Sequence, residues 1–223
     1  MTRPRLLDLF CGAGGAAMGY SLAGFDVVGV DNRPQPRYPF TFVQADAMTY
    51  PLDGFDVIHA SPPCQDYSKA MRCFVGDGEY PRLIEPVRER LHLTGRSWVI
   101  ENVDGAPLPV QDTLDGAHGT ELCGSMFRLR IWRHRLFETS FGITAPRGCD
   151  HSLLPMNPHK STNRQLWRKI LGPDVPLERR WREEMGVGWM DGDEGREAIP
   201  PAYTEYIGRQ LLDYLAIPIG AAS

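Results

Sequence analysis

Short apolar runs recur along the first two thirds of the chain, each stopping at a glycine, a proline or an acid. RLLDLF (5–10) ends at CGAGG, DVVGVD (26–31) and TFVQAD (41–46) end on aspartates, and FDVIHA (55–60) ends at SPPC. SWVIENV (97–103) follows a helix-like LIEPVRERL (83–91), and LCGSMF (122–127) and RHRLFETSF (133–141) read as two further strands. Unbroken Val/Ile-rich runs separated by helix-compatible stretches such as AAMGYSLAG predict strands covered on both faces, hence a doubly wound, Rossmann-like α/β sheet with parallel strands. In such sheets ligands bind beyond the carboxyl ends of the strands. Near the other end of the chain, IPPAYTEYIGRQLLDYL (199–215) places apolar residues at helical spacing after a proline start.

Between about 142 and 182 the periodicity dissolves into a Pro-, Arg- and His-rich stretch. The expected organisation is a core over 1–141, a small irregular basic lobe over 142–182, and a segment over 183–223 that returns to the core. Charge sharpens this division. The whole chain carries −4, but residues 126–182 hold 12 of the 24 Lys+Arg and 4 of the 28 Asp+Glu, giving +8 there and −12 elsewhere. One polyanion-facing side on an otherwise acidic protein is the reading this asymmetry supports. Arg147, Lys160, Arg164, Arg168 and Lys169 are its candidate phosphate contacts.

At 223 residues the chain has the size of one domain with an appendage, able to bury roughly 70% of its unfolded surface. No stretch has the length of a membrane span, so no membrane partner is expected. Five cysteines at irregular spacing do not form a disulfide framework, which favours a reducing, cytoplasmic setting.

Chemistry gathers where the runs end. DLFCGAGG closes the first with Gly12, Gly14 and Gly15, which allow a tight turn and close approach of a ligand. Asp31 ends the second, placed to accept from ribose hydroxyls, and Asp46 ends the third, placed to accept from an exocyclic amine. Such a turn with two acidic strand ends favours an adenosine-bearing cofactor. Gly-x-Gly-Gly lacks the full dinucleotide fingerprint, so S-adenosylmethionine is preferred to NAD. Beyond the fourth run, SPPCQDYS fixes a thiol, Cys64, on a proline-stiffened turn, where a cysteine that merely packs would not be expected. Cys11, Cys73 and Cys123 read as packing residues. Cys149-Asp150-His151, with His159 nearby, has the residue types of a zinc site, but without a second Cys-x-x-Cys pair no metal is expected.

Taken in order, DLFCGAGG, SPPCQDYS, ENV (101–103) and RHR (133–135) resemble the DNA cytosine-5 methyltransferase family. The resemblance covers about 5–141 and returns near 185–215. It implies a mixed methyltransferase sheet with S-adenosylmethionine over the glycine turn, held by Phe10, Gly12, Gly14, Gly15, Asp31, Asn32, Asp46, Ala47, Pro63 and Leu83. It also implies catalytic roles for Cys64, Glu101, Arg133 and Arg135. Cys64 adds to C6 of a cytosine flipped out of double-stranded DNA, Glu101 engages N3 and the 4-amino group, and an arginine meets O2. Positive charge from Arg133 or Arg135 is expected to hold the thiolate, and the loop 65–82 to close over the base. A monomer is expected.

Three features depart from the family pattern. Its glutamine before the arginines is Ile131, its cofactor-contacting asparagine near the last Pro-Pro is Glu197, and its large recognition region is reduced to about 40 residues. The small lobe implies a short or degenerate target. An RNA cytosine-5 methyltransferase and an inactive DNA- or cofactor-binding descendant are the alternatives. Restriction-linked self-protection and genome marking by a bacteriophage fit equally.

Overall fold

The computed structural model describes residues 2–64, 82–113, 118–152 and 182–216. Seven strands form one sheet in the order β3-β2-β1-β4-β5-β7-β6. Here β1 is Arg5–Leu9, β2 Asp26–Asp31, β3 Thr41–Gln44, β4 Val57–Ala60, β5 Ser97–Val103, β6 His118–Leu122 and β7 Arg135–Thr139. The first five strands are mutually parallel; β7 runs antiparallel to β5, and β6 antiparallel to β7. The sheet is therefore mixed rather than wholly parallel. The pattern also misplaced one strand: LCGSMF forms a 3₁₀ turn over Gly124–Phe127, and the strand before it is HGTEL, whose polar residues hid it.

Alternation along each strand divides the core in two. Leu6, Val27, Val57 and Val99 face one side, with α1 (Gly15–Ala23) and the C-terminal helix, which we label α4 (Pro201–Ala216). Leu7, Val28, Ile58 and Ile100 face the other, with α2 (Ile84–His92). The closest helix seam runs between α1 and α4. A Cβ on Gly19 would collide with the Pro201 carbonyl and Thr204 hydroxyl, and one on Gly208 would lie 2.8 Å from Ala23 Cβ. Thr204 Oγ1 donates to the Ala16 carbonyl at 2.9 Å across that seam. On the opposite face, Arg88 of α2 makes a two-pronged, 2.7 Å contact with the buried Glu138 of β7.

No helix bridges β2 and β3. The loop 32–40 instead drops Tyr38 into the core, and Gly29 of β2 leaves room for its ring. Arg37 of this loop pairs with Asp191 at 3.0 Å and Glu194 at 2.7 Å, the residues that form the capping box of α3 (Gly192–Glu197). Beyond 141 the chain still belongs to the core for a few residues: Ile143 is buried, and Thr144 N donates to Gln210 of α4 at 3.0 Å. Most of the expected basic lobe lies outside the described residues, as do 65–81 of the expected closing loop, Cys73 and His159. No helix among the described residues is long and apolar enough to cross a membrane.

Candidate active site

Parallel strand order brings the turns after β1, β2, β3 and β4 to one edge of the sheet, the carboxyl edge. The turn after β1 begins with Phe10 in the left-handed region (φ 58), a conformation that costs a non-glycine residue roughly 1–2 kcal/mol. Gly12 follows at φ 48, and a Cβ there would meet nothing within 4 Å. Its N–H donates to Asp31 Oδ2 at 3.1 Å, while Arg33 N donates to Oδ1 at 2.9 Å. Asp31 thus ties the glycine turn to the end of β2. Gly14 and Gly15 are also required for packing. Cβ atoms on them would press on Pro39 and Tyr38, or collide with the Ile199 carbonyl.

Asn32 and Asp46 are exposed at the same edge, Ala47 is buried beside them, and Met48 N donates to Asp46 Oδ1 at 2.9 Å. Arg90 of α2 donates to the Ala47 carbonyl at 2.8 Å, and Leu83 immediately precedes that helix. Beneath the glycine turn lies a residue the sequence pattern did not single out. Asp8 of β1 is buried, accepts from the Tyr38 hydroxyl at 3.4 Å, and has no partner for Oδ1. Burial, reinforced by Asp31 and Glu101, pushes its carboxyl up to about 8, against the opposing Tyr38 bond. An open glycine turn with one carboxylate at the end of β2 and another just past β3 suits a ligand with a ribose and an exocyclic amine, and S-adenosylmethionine has both.

Cys64 stands past β4, half-buried behind Pro62 and Pro63. Asn102 of β5 holds that turn: its Nδ2 donates to the Pro62 carbonyl at 2.9 Å, and its Oδ1 accepts from Val103 N at 3.0 Å. The neighbouring Glu101 is buried and pairs with Arg135 Nε at 2.9 Å. Antiparallel register makes this possible, since Arg135 opposes Val103. Burial raises the Glu101 carboxyl above the ordinary glutamate value, with Arg135, a Ser61 hydrogen bond and Arg133 pulling the other way. Ser61 extends the network inward, its Oγ 2.9 Å from His59 Nε2, while His59 Nδ1 lies 3.0 Å from the Tyr20 hydroxyl. Burial holds His59 neutral, down to about 3, so the chain of polar groups behind Glu101 carries no cation.

The expected electrostatics of the thiol are not those found. Burial raises the Cys64 thiol, Glu101 adds to the rise, and Arg135 opposes it without prevailing over these and Glu197. Glu197, noted only as a departure from the family pattern, therefore acts electrostatically on the thiol. The strand read over 133–141 is shorter, Arg135–Thr139, so Arg135 begins β7 and Arg133 lies before it. Arg133 donates to the carbonyls of Ala198 at 2.7 Å and Arg196 at 2.5 Å, and Tyr203 donates to the Arg133 carbonyl at 2.8 Å. Arg133 thus fastens the segment preceding α4 to the site. Ile131 is buried against Ala13 and Met185, so the position holds an apolar contact.

The family model for C-5 cytosine-specific DNA methylase matches residues 4–105, from the approach to β1 through β5. Type II methyltransferase M.HgiGI of Herpetosiphon aurantiacus is 30% identical over 118 residues, covering 47% of this chain and 94% of that protein. Type II methyltransferase M.XorII of Xanthomonas oryzae pv. oryzae is 27% identical over 124 residues, covering 47% of this chain but only 29% of the relative. Among solved structures, the S. pombe Dnmt2 methyltransferase shares the fold, with a TM-score of 0.59, 14% identity, and coverage of 96% of this chain and 100% of that one. The Entamoeba histolytica methyltransferase EhMeth shares it at 0.56 and 10% identity, over 97% and 100% of the two chains. A relative matched along nearly its whole length thus joins a mixed sheet whose edge assembles the glycine turn, the Pro-Cys turn and the Glu-Asn pair. The chain belongs to the C-5 cytosine-specific DNA methylase family.

Proposed function

We propose that this protein is an S-adenosylmethionine-dependent DNA cytosine-5 methyltransferase. The observation that carries the reading is the convergence of Cys64, Glu101 and Arg135 at the carboxyl edge, beside a glycine turn able to receive the cofactor. The bound cofactor supplies an electrophilic sulfonium methyl; Phe10, Gly12, Asp31, Asn32, Asp46, Ala47, Pro63 and Leu83 would hold it, with Gly14 and Gly15 shaping the turn.

Cytosine C5 is a weak nucleophile. Cys64, once ionised, adds to C6 and makes C5 enamine-like, with negative charge developing toward N3 and O2. A carboxyl raised by burial, such as Glu101, supplies or shares a proton at N3. Arg135 holds that carboxyl and brings positive charge to the same place. Asn102 keeps the Cys64 turn in position, and Arg133 secures the wall formed by residues 196–198. After methylation, water takes the C5 proton, the C5=C6 bond re-forms as Cys64 leaves with its electron pair, and N3 returns its proton to Glu101. The base must leave its stack to reach Cys64, at a cost of a few kcal/mol.

The +8 stretch over 126–182 favours a polyanion, with phosphate contacts that confer little sequence discrimination. The reading therefore includes a short or degenerate site on duplex DNA, served by a monomer whose basic lobe over 142–182 is rooted on the core through Ile143 and Thr144. The test is a duplex carrying 5-fluorocytosine, incubated with S-adenosylmethionine. The native protein forms an adduct that survives denaturation, and Cys64→Ser does not. Absence of an adduct on duplex DNA, with adduct on a matched structured RNA, moves the activity to RNA; absence on both leaves an inert binding protein.

A further inference from the structure

At the β6–β7 end of the same sheet edge, four side chains from three separate stretches converge. Cys123 directly follows β6 and opens the 3₁₀ turn, His134 sits between the two site arginines, and Cys149 and His151 lie at the start of the expected basic lobe. Their ligand atoms all fall within 4.8 Å of one another. Cys123 Sγ is 3.5 Å from His151 Nε2, His134 Nε2 is 3.4 Å from Cys149 Sγ, and Cys149 Sγ is 2.8 Å from His151 Nε2.

We propose that Cys123, His134, Cys149 and His151 form a structural zinc site. Two thiolates and two imidazoles are the donors of a closed tetrahedral zinc centre. Zn–S of about 2.3 Å and Zn–N of about 2.0–2.1 Å place neighbouring sulfur and nitrogen roughly 3.6 Å apart. Of the four sulfur–nitrogen pairs, Cys123–His151 and Cys149–His134 stand within 0.2 Å of that, Cys149–His151 is drawn in to 2.8 Å, and Cys123–His134 lies within 4.8 Å. Both imidazoles offer the same atom, Nε2, to the sulfurs. The surroundings are those of a metal site. Glu121 Oε1 lies 3.4 Å from His134 Nδ1, positioned to fix the ring. His151 stacks on Trp132 at 4.1 Å and an interplanar angle of 16°. Ser125 Oγ lies 3.2 Å from Cys123 Sγ and 3.6 Å from Cys149 Sγ, close enough to donate to thiolates, and receives the Asp150 N–H at 3.1 Å. Cys123 is buried whereas Cys149 and His151 are exposed, so an ion has a way in.

Sequence spacing expects no metal because Cys149 and His151 have no paired motif beside them. The missing half comes from the ends of β6 and β7, which the antiparallel ladder sets side by side, Leu122 opposite Arg135. The ion would therefore staple the root of the basic lobe to the arginine segment, with His134 as the shared link.

The experiment takes the full chain purified without chelator. Elemental analysis is expected to give about one zinc per chain, and replacement by Co²⁺ to give the visible d–d bands and thiolate charge-transfer absorption of a tetrahedral sulfur–nitrogen site. Cys149→Ser and His151→Asn should lose the ion and the bands, while Cys64→Ser keeps both. Zinc well below one equivalent with no cobalt spectrum overturns the proposal. So does a full equivalent retained in Cys149→Ser, or fewer than the five thiols of the sequence on titration of the denatured, unreduced protein, which marks a disulfide instead.

Discussion

Replacing Arg135 by Met tests the buried carboxyl on which the proposed chemistry turns. The change removes the 2.9 Å partner of Glu101, whose side chain is only 7% exposed, and leaves a carboxylate without its charge partner. Breaking a buried pair on one side costs about 3–5 kcal/mol, or roughly 6–20 °C of Tm for a chain of this size. The cost must depend on pH. Burial already raises Glu101, and Arg135 is the strongest influence lowering it, so Arg135→Met lifts the folded-state pKa further. A carboxyl raised on folding keeps its full stability below the unfolded value of about 4.3 and loses it as pH rises toward the folded pKa, by about 1.4 kcal/mol per unit. The variant should thus be nearly native-like at pH 5 and far less stable at pH 8, measured by urea unfolding at both. Adding Glu101→Gln should restore much of the stability at pH 8 without restoring methyl transfer. A pH-independent loss, or a double variant no more stable than Arg135→Met, would refute the reasoning.

Two further outcomes follow from the same geometry. Glu197→Gln removes a negative charge that raises the Cys64 thiol, so alkylation of that thiol by iodoacetamide should begin at lower pH than in the native protein; an unchanged profile would show that Glu197 has no influence. Asn102→Ala leaves the Pro62 carbonyl without its buried donor, at about 1–3 kcal/mol, and should lower kcat more than it raises KM for the cofactor, because the loss falls on the thiol's turn.

The parallel half of the sheet could be read in advance because strands buried on both faces leave continuous apolar runs, and DVVGVD and SWVIENV match β2 and β5 end to end. HGTEL could not, being a polar strand whose identity comes from pairing with β7. Site legibility divided along similar lines. Cys64, Glu101 and the arginines announce themselves through motif and strand end. Asp8 and His59 hide inside apolar runs, where only burial and hydrogen bonding reveal them. Glycines 12, 14 and 15 looked equivalent in sequence, yet one keeps space open and two relieve crowding against loops distant in the chain. The four-residue Cys/His cluster escaped because its members come from three stretches joined only by folding.

Residues 196–199 receive both Arg133 and the flank of Gly15, and Trp189 a little upstream donates to the Ala13 carbonyl at 3.0 Å. One short stretch of backbone thus braces the glycine turn and the arginine segment together. Under the proposed function, a methyl donor on one side and a nucleobase on the other would share that stretch as a common wall. A ligand that ordered the wall from one side would then alter the surface met by the other.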